Sequence, residues 1–136
     1  MNKNGFTFIE LLAVIVLIAL ITVIAVPSIK LADKKIQTKN LNAKLDLIKT
    51  AAESYGDDNK DVLLYQTTTT YTDPSNNVKY PSITVTVRDL LNNGYLVKDK
   101  NGKGEDIINP VTKESLLNKT ITIYYKNNRV KAKLNF

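Results

Sequence analysis

Residues 5–30 read GFTFIELLAVIVLIALITVIAVPSIK. From Phe6 to Ile29 the only charged residue is Glu10. As an α-helix this run would be about 36 Å long, enough to cross a hydrocarbon core of about 30 Å. It does not have the form of a secretory signal. The apolar run is too long for one, and MNKN supplies only Lys3 as a basic side chain. A carboxylate at the centre of a membrane helix costs about 3 kcal/mol. Glu10 therefore either reaches the headgroups from one turn inside or meets a partner. Pro27 has no N–H to donate and clashes with the preceding turn, so it loosens a helix at that point. Lys30, Lys34 and Lys35 follow the run, while Lys3 and the amino terminus precede it. Counted alone, these charges would place the C-terminal side in the cytoplasm.

The other residues of the 136 are polar and rich in Lys, Asn and Thr, which bounds the chain to one small domain beside the apolar segment. There is no Cys, so disulfides, thiolate catalysis and Cys-bound metal are excluded. There is no His, which removes the commonest general base and the usual zinc ligands. The chain is read as having no catalytic activity, no cofactor and no metal. Its formal charge of +6 suits an anionic neighbour such as nucleic acid, wall polymer or lipid headgroups, or simply a soluble surface.

Beyond the apolar run, Leu41, Leu45, Ile48, Ala52 and Tyr55 recur at helical spacing and form an apolar stripe. Lys34, Lys44, Lys49 and Glu53 lie mainly off it. Gly56, followed by DDNKD, is the expected stop. LLYQTTTTYTDPSNNVKYPSITV predicts two extended segments around a DPSNN turn. TVRDLLNNGYL predicts a short helix capped by Thr86, with Asp89 as capping-box partner and Gly94 just past its end. Leu90, Leu91, Tyr95 and Leu96 are its packing groups. KTITIYYKNNRVKAKLNF predicts a hairpin turning at Asn127-Asn128. Alternation puts Ile121, Ile123 and Tyr125 on one face with Val130, Ala132, Leu134 and Phe136, set against the helix stripe. The expected fold is α+β: a long N-terminal helix packed by a small antiparallel sheet head.

Two loops carry oxygen side chains of the kind that bind calcium. Asp57 to Asp61 lacks the glycine and glutamate of an EF-hand. Asp99, Asn101, Glu105 and Asp106 sit in a Gly-containing loop, read as solvated. On the outward hairpin face, Lys126, Arg129, Lys131 and Lys133 line up beside Tyr124. Cations beside an aromatic suit a DNA backbone read without sequence preference. The plainer reading is a lysine-studded face that resists edge aggregation.

The stretch KNGFTFIELLAVIVLIALITVIAVPS closely resembles the N-terminal signal and helix of type IV pilins and pseudopilins. A short basic leader ends in Gly5, an aromatic Phe6 follows, and Glu10 and Pro27 stand at the family's distances. The resemblance implies that prepilin peptidase cuts between Gly5 and Phe6 and methylates the new amine of Phe6. It implies that Glu10 neutralises the amine of an adjacent subunit, each charge being costly alone and tolerable as a pair. It implies that the helix melts between about Ala19 and Pro27 in fibres, although many members carry glycine where this chain has Ala19. It places the N-terminus in the cytoplasm and the head outside, against the charge count above. The divisions are then a leader at 1–5, a transmembrane and polymerisation helix at 6–29, an amphipathic helix at 30–56 and an α+β head at 57–136. The implied partners are other pilins, the peptidase, an assembly ATPase with its membrane platform, the bilayer before assembly, and DNA in some filaments. The implied places are the cytoplasmic membrane and then a surface filament. The segment DLLNNGYL, the NP that follows and the terminal hairpin also resemble small Gram-positive pilin heads. The competing class is a membrane-anchored module that never polymerises and binds DNA or anionic wall polymer.

Overall fold

The computed structural model describes residues 7–99 and 107–136, without the side chains of residues 24–29 and 66. The chain divides into two units, Met1–Thr38 and Lys39–Phe136. Helix α1, Phe8–Asp58, is continuous through the position of Pro27. It is followed by a one-turn π-helix, Val62–Gln66. Strands β1 (Thr70–Thr72) and β2 (Lys79–Thr86), helix α2 (Val87–Asn92), and strands β3 (Thr120–Lys126) and β4 (Arg129–Leu134) complete the order. The strands form one antiparallel sheet in the order β1-β2-β3-β4. The fold is α+β, a long N-terminal helix followed by a four-stranded antiparallel sheet, as in the type IV pilin fold.

In the second unit the apolar stripe of α1 meets the inner face of the sheet. Ile48, Ala51 and Ala52 are buried and Tyr55 is partly so. Val85, Ile121, Ile123, Val130 and Ala132 oppose them from the sheet. Register explains the segregation. Ile83 pairs with Ile123 and Ile123 with Ala132, so period-two alternation carries one apolar row across β2, β3 and β4. Phe136, expected on this face, lies beyond β4 and is 40% exposed. The hairpin turns at Asn127 and Asn128, both with positive φ (52° and 62°), the backbone that asparagine tolerates and a tight turn needs.

The expected stop at Gly56 is corrected. α1 runs through it to Asp58, and Leu63, read from sequence as part of an extended stretch, lies in the π-helix and is fully buried. Gly56 has a packing role instead. A Cβ there would stand 2.6 Å from both Ile123 Cγ2 and Val130 Cγ1. The residue lets the helix backbone approach the sheet, at a helix-propensity cost of about 1 kcal/mol relative to alanine.

Helix α2 forms as its sequence signals. The Thr86 hydroxyl accepts from Asp89 N, and Asp89 accepts from the Thr86 N–H at 2.8 Å. At the other end Gly94 (φ 81°) permits a Schellman closure, with Gly94 N donating to Leu91 O and Tyr95 N to Leu90 O. This cap seats Leu90 and Leu96 in the core. Lys44 also ties α1 to the head. Its ammonium donates to Asp99 Oδ2 at 2.6 Å and to the Ile108 carbonyl at 2.7 Å, while Ile108 N donates to the same carboxylate. Asp99 is therefore engaged by the protein itself. Asn101, Glu105 and Asp106, weighed above for calcium, lie outside the described residues.

Candidate functional site

In the first unit the described apolar side chains are exposed. Phe8, Leu11, Ile15, Ile18, Ile21 and Val23 all face solvent. An exposed apolar surface of this extent suits an apolar surrounding. Among the described residues no helix is long and apolar enough to cross a membrane. The described side chains of the run stop at residue 23, whereas the apolar sequence continues to Ile29.

Glu10 has a local partner that the sequence reading missed. Its carboxylate accepts from Thr7 N at 2.8 Å and from the Thr7 hydroxyl at 2.9 Å. Glu10 N in turn faces Thr7 Oγ1 at 3.4 Å. This is a capping box that starts α1, and the pattern Thr-x-x-Glu signals it directly in TFIE. One carboxylate thus already satisfies two donors at the helix start. Gly5 and Phe6 lie outside the described residues, and the side chain of Pro27 does so too.

The outward sheet face carries the second group of sequence-predicted residues. Tyr124 pairs with Lys131 and Lys126 with Arg129 across β3 and β4, so these four share one face; Thr122 pairs with Lys133 on the same side. Two tyrosines not singled out from the sequence join them. Tyr71 packs on Tyr124 with ring centroids 4.4 Å apart, and Tyr80 lies 6.3 Å from Tyr124. Alternation in TYT and KYPS puts both on the outer face, a signal visible once β1 and β2 are registered with β3. Lys133 sits over the Tyr71 ring at 5.2 Å.

Lys126 is not available in the way the others are. It forms an ion pair with Asp73, a buried residue of the turn between β1 and β2. The hydrogen bond from Lys126, then those from the Ser75 hydroxyl and N–H, hold the Asp73 carboxyl well below the usual carboxylate range. The same bond pushes the Lys126 ammonium up. Lys126 thus fastens the turn to the hairpin tip. Arg129, Lys131 and Lys133 remain exposed beside Tyr124. Among the described residues no cluster of acidic side chains could hold a metal ion.

The family model of the prokaryotic N-terminal methylation motif matches residues 1–26. No curated protein and no solved structure matches the chain. The matched segment contains Gly5, Phe6 and Glu10, and the fold beyond it is a helix followed by an antiparallel sheet. At residues 1–26 the chain carries the prepilin-type signature of type IV pilins and pseudopilins.

Proposed function

We propose that this chain is a structural subunit of a type IV pilus or pilus-like filament, of the pseudopilus or competence kind included. The match of the methylation motif to residues 1–26 is the observation that carries the reading. The leader at 1–5 is removed, the helix at 6–29 holds the subunit in the cytoplasmic membrane, and the segments at 30–56 and 57–136 stand outside it. An assembly ATPase and its membrane platform then draw the helix from lipid into a fibre. The uncovered apolar residues of α1 support this. They need an apolar surrounding both before and after the transfer, which lipid and then neighbouring helices supply. Glu10 pairs with the amine of Phe6 on an adjacent subunit and fixes register. Pro27 supplies the weak point at which the helix loosens in the fibre. The experiment is to shear cells, isolate the fibre fraction and ask whether it contains this chain with Phe6 as its first residue.

A second reading concerns the outer sheet face, where Arg129, Lys131 and Lys133 stand beside three clustered tyrosines. Such a face suits a DNA backbone, with affinity set by counterion release. Arg129→Gln with Lys131→Gln is expected to weaken duplex binding by the detergent-solubilised chain and to flatten its salt dependence by about two units of slope. Duplex binding that is absent at low salt, or unchanged in the variant, contradicts this reading and leaves the filament reading intact.

A further inference from the structure

The charges along α1 and the segment after it are segregated. Between residues 30 and 39 stand Lys30, Lys34, Lys35 and Lys39 against the single Asp33. Between residues 53 and 61 stand Glu53, Asp57, Asp58 and Asp61 against the single Lys60. The acidic group is on the wrong end of the helix for its own stability. The C-terminus of a helix carries partial negative charge, so carboxylates there are unfavourable relative to cations. The last turn of α1 holds no basic residue to offset them. Two of the four have duties within the chain. Glu53 accepts from Ala132 N at 3.2 Å, and Asp58 accepts from the Tyr95 hydroxyl at 2.7 Å. Asp57 and Asp61 are exposed and take part in no ion pair among the described residues. Lys60 is turned away over the Tyr125 ring at 4.9 Å.

The basic stretch is equally uncovered. Lys30, Lys34, Lys35 and Lys39 are all exposed, and the apolar residues between them are too, with Leu31 at 65% and Ile36 at 56%. A surface that mixes bare aliphatic groups with exposed cations that form no ion pair among the described residues fits a partner that offers carboxylates on an ordered helix. The chain itself offers one. Lys39 and Asp57 are 18 residues, or five full turns, apart on one helix, about 27 Å along its axis. They cannot meet within one copy, but two parallel copies offset by that distance bring them level.

We propose that the acidic end of α1, at Asp57 with Asp61 in the segment just after it, docks on the basic stretch of a second copy, where Lys39 comes level with Asp57 and Lys35 stands about one turn before it. The contact sets the axial stagger of subunits outside the membrane segment. This inference rests on the filament reading and adds a specific intersubunit surface to it. Exposed ion pairs are weak singly, because solvent and salt screen them. Repeated at every subunit along a polymer they discriminate one stagger from others, because a wrong offset places like charges together.

The test is charge reversal with rescue in the full-length chain. The paired substitutions Lys35→Glu with Lys39→Glu, and separately Asp57→Lys with Asp61→Lys, are each expected to lower the yield of sheared filaments at least tenfold. Immunoblots of the membrane fraction check that each variant accumulates. Combining all four substitutions restores opposite signs across the contact and is expected to recover at least half of the wild-type yield. Either pair leaving the yield unchanged overturns the proposal. A combined variant as poor as the separate pairs overturns it as well. If the wild-type chain forms no filaments, the filament reading itself falls and takes this contact with it. Wild-type fibres without rescue remove the contact alone.

Discussion

Glu10→Ala is expected to leave the head folded and the chain in the membrane while reducing filament yield at least tenfold. The expected insertion follows from transfer energetics, because the substitution removes a carboxylate that costs about 3 kcal/mol in a hydrocarbon environment. The expected loss of fibres follows from pairing. Each incoming subunit would bury the amine of Phe6 with no anion to meet it, and breaking one side of a buried ion pair costs about 3–5 kcal/mol. The structure supplies a rival explanation that must be separated. Glu10 also closes the capping box with Thr7, and losing a cap costs about 1 kcal/mol. Glu10→Gln distinguishes the two. Its side-chain oxygen still accepts from Thr7 N, so the cap survives while the charge is gone. The registry account expects Glu10→Gln to fail as Glu10→Ala does, scored by sheared-fraction immunoblot and electron microscopy. Filaments at normal yield in Glu10→Gln, with loss in Glu10→Ala, would assign the residue to helix capping and end the pairing account.

The second large effect is expected at Gly56. A Cβ at this position stands 2.6 Å from methyl carbons of Ile123 and Val130. Ile123 is fully buried and Val130 is 6% exposed, so neither has free space into which to retreat. Gly56→Ala gains about 1 kcal/mol of helix propensity and loses about 1–3 kcal/mol to overpacking. The overpacking outweighs the propensity gain, so a net loss of up to about 2 kcal/mol is expected. Gly56→Leu adds further volume at the same spot, and the helix must move off the sheet. For a head of about a hundred residues, with a stability on the order of 5 kcal/mol, that loss is enough to unfold it. Protease sensitivity of the membrane-bound chain measures the outcome, and Gly56→Leu is expected to be degraded while Gly56→Ala persists. A Gly56→Leu chain as resistant as wild type would show that the helix–sheet approach is not the constraint proposed.

Much of the fold was legible because its signals are local. Thr86, Asp89 and Gly94 each act within one turn of α2, and their types announce those roles. The Asn127-Asn128 turn and the alternation of Ile121, Ile123, Val130 and Ala132 depend only on neighbours along a hairpin. Gly56 misled because glycine has two uses. The sequence suggests a helix terminator, whereas a close approach to Ile123 and Val130, far along the chain, keeps it inside the helix. Lys126 was grouped with the free cations for the same reason. Its partner Asp73 is distant in sequence and becomes adjacent only when β1 and β2 are laid beside β3. Tyr71 and Tyr80 joined Tyr124 by that pairing. At the N-terminus the reverse held. TFIE carries the capping-box spacing openly, but the charge of Glu10 drew attention to a partner outside the chain before the one three residues away.

The central claim is that the chain is cut after Gly5 and assembled by its N-terminal helix. It is tested most directly by the intact mass and first residues of the chain recovered from the sheared surface fraction. The account predicts a chain that begins at Phe6, carries one added methyl group on its amine and lacks MNKNG. It also predicts that substituting Gly5 leaves the unprocessed chain in the membrane and none in the fibre fraction. A surface chain that retains Met1, or one that begins beyond Ile29, would contradict it.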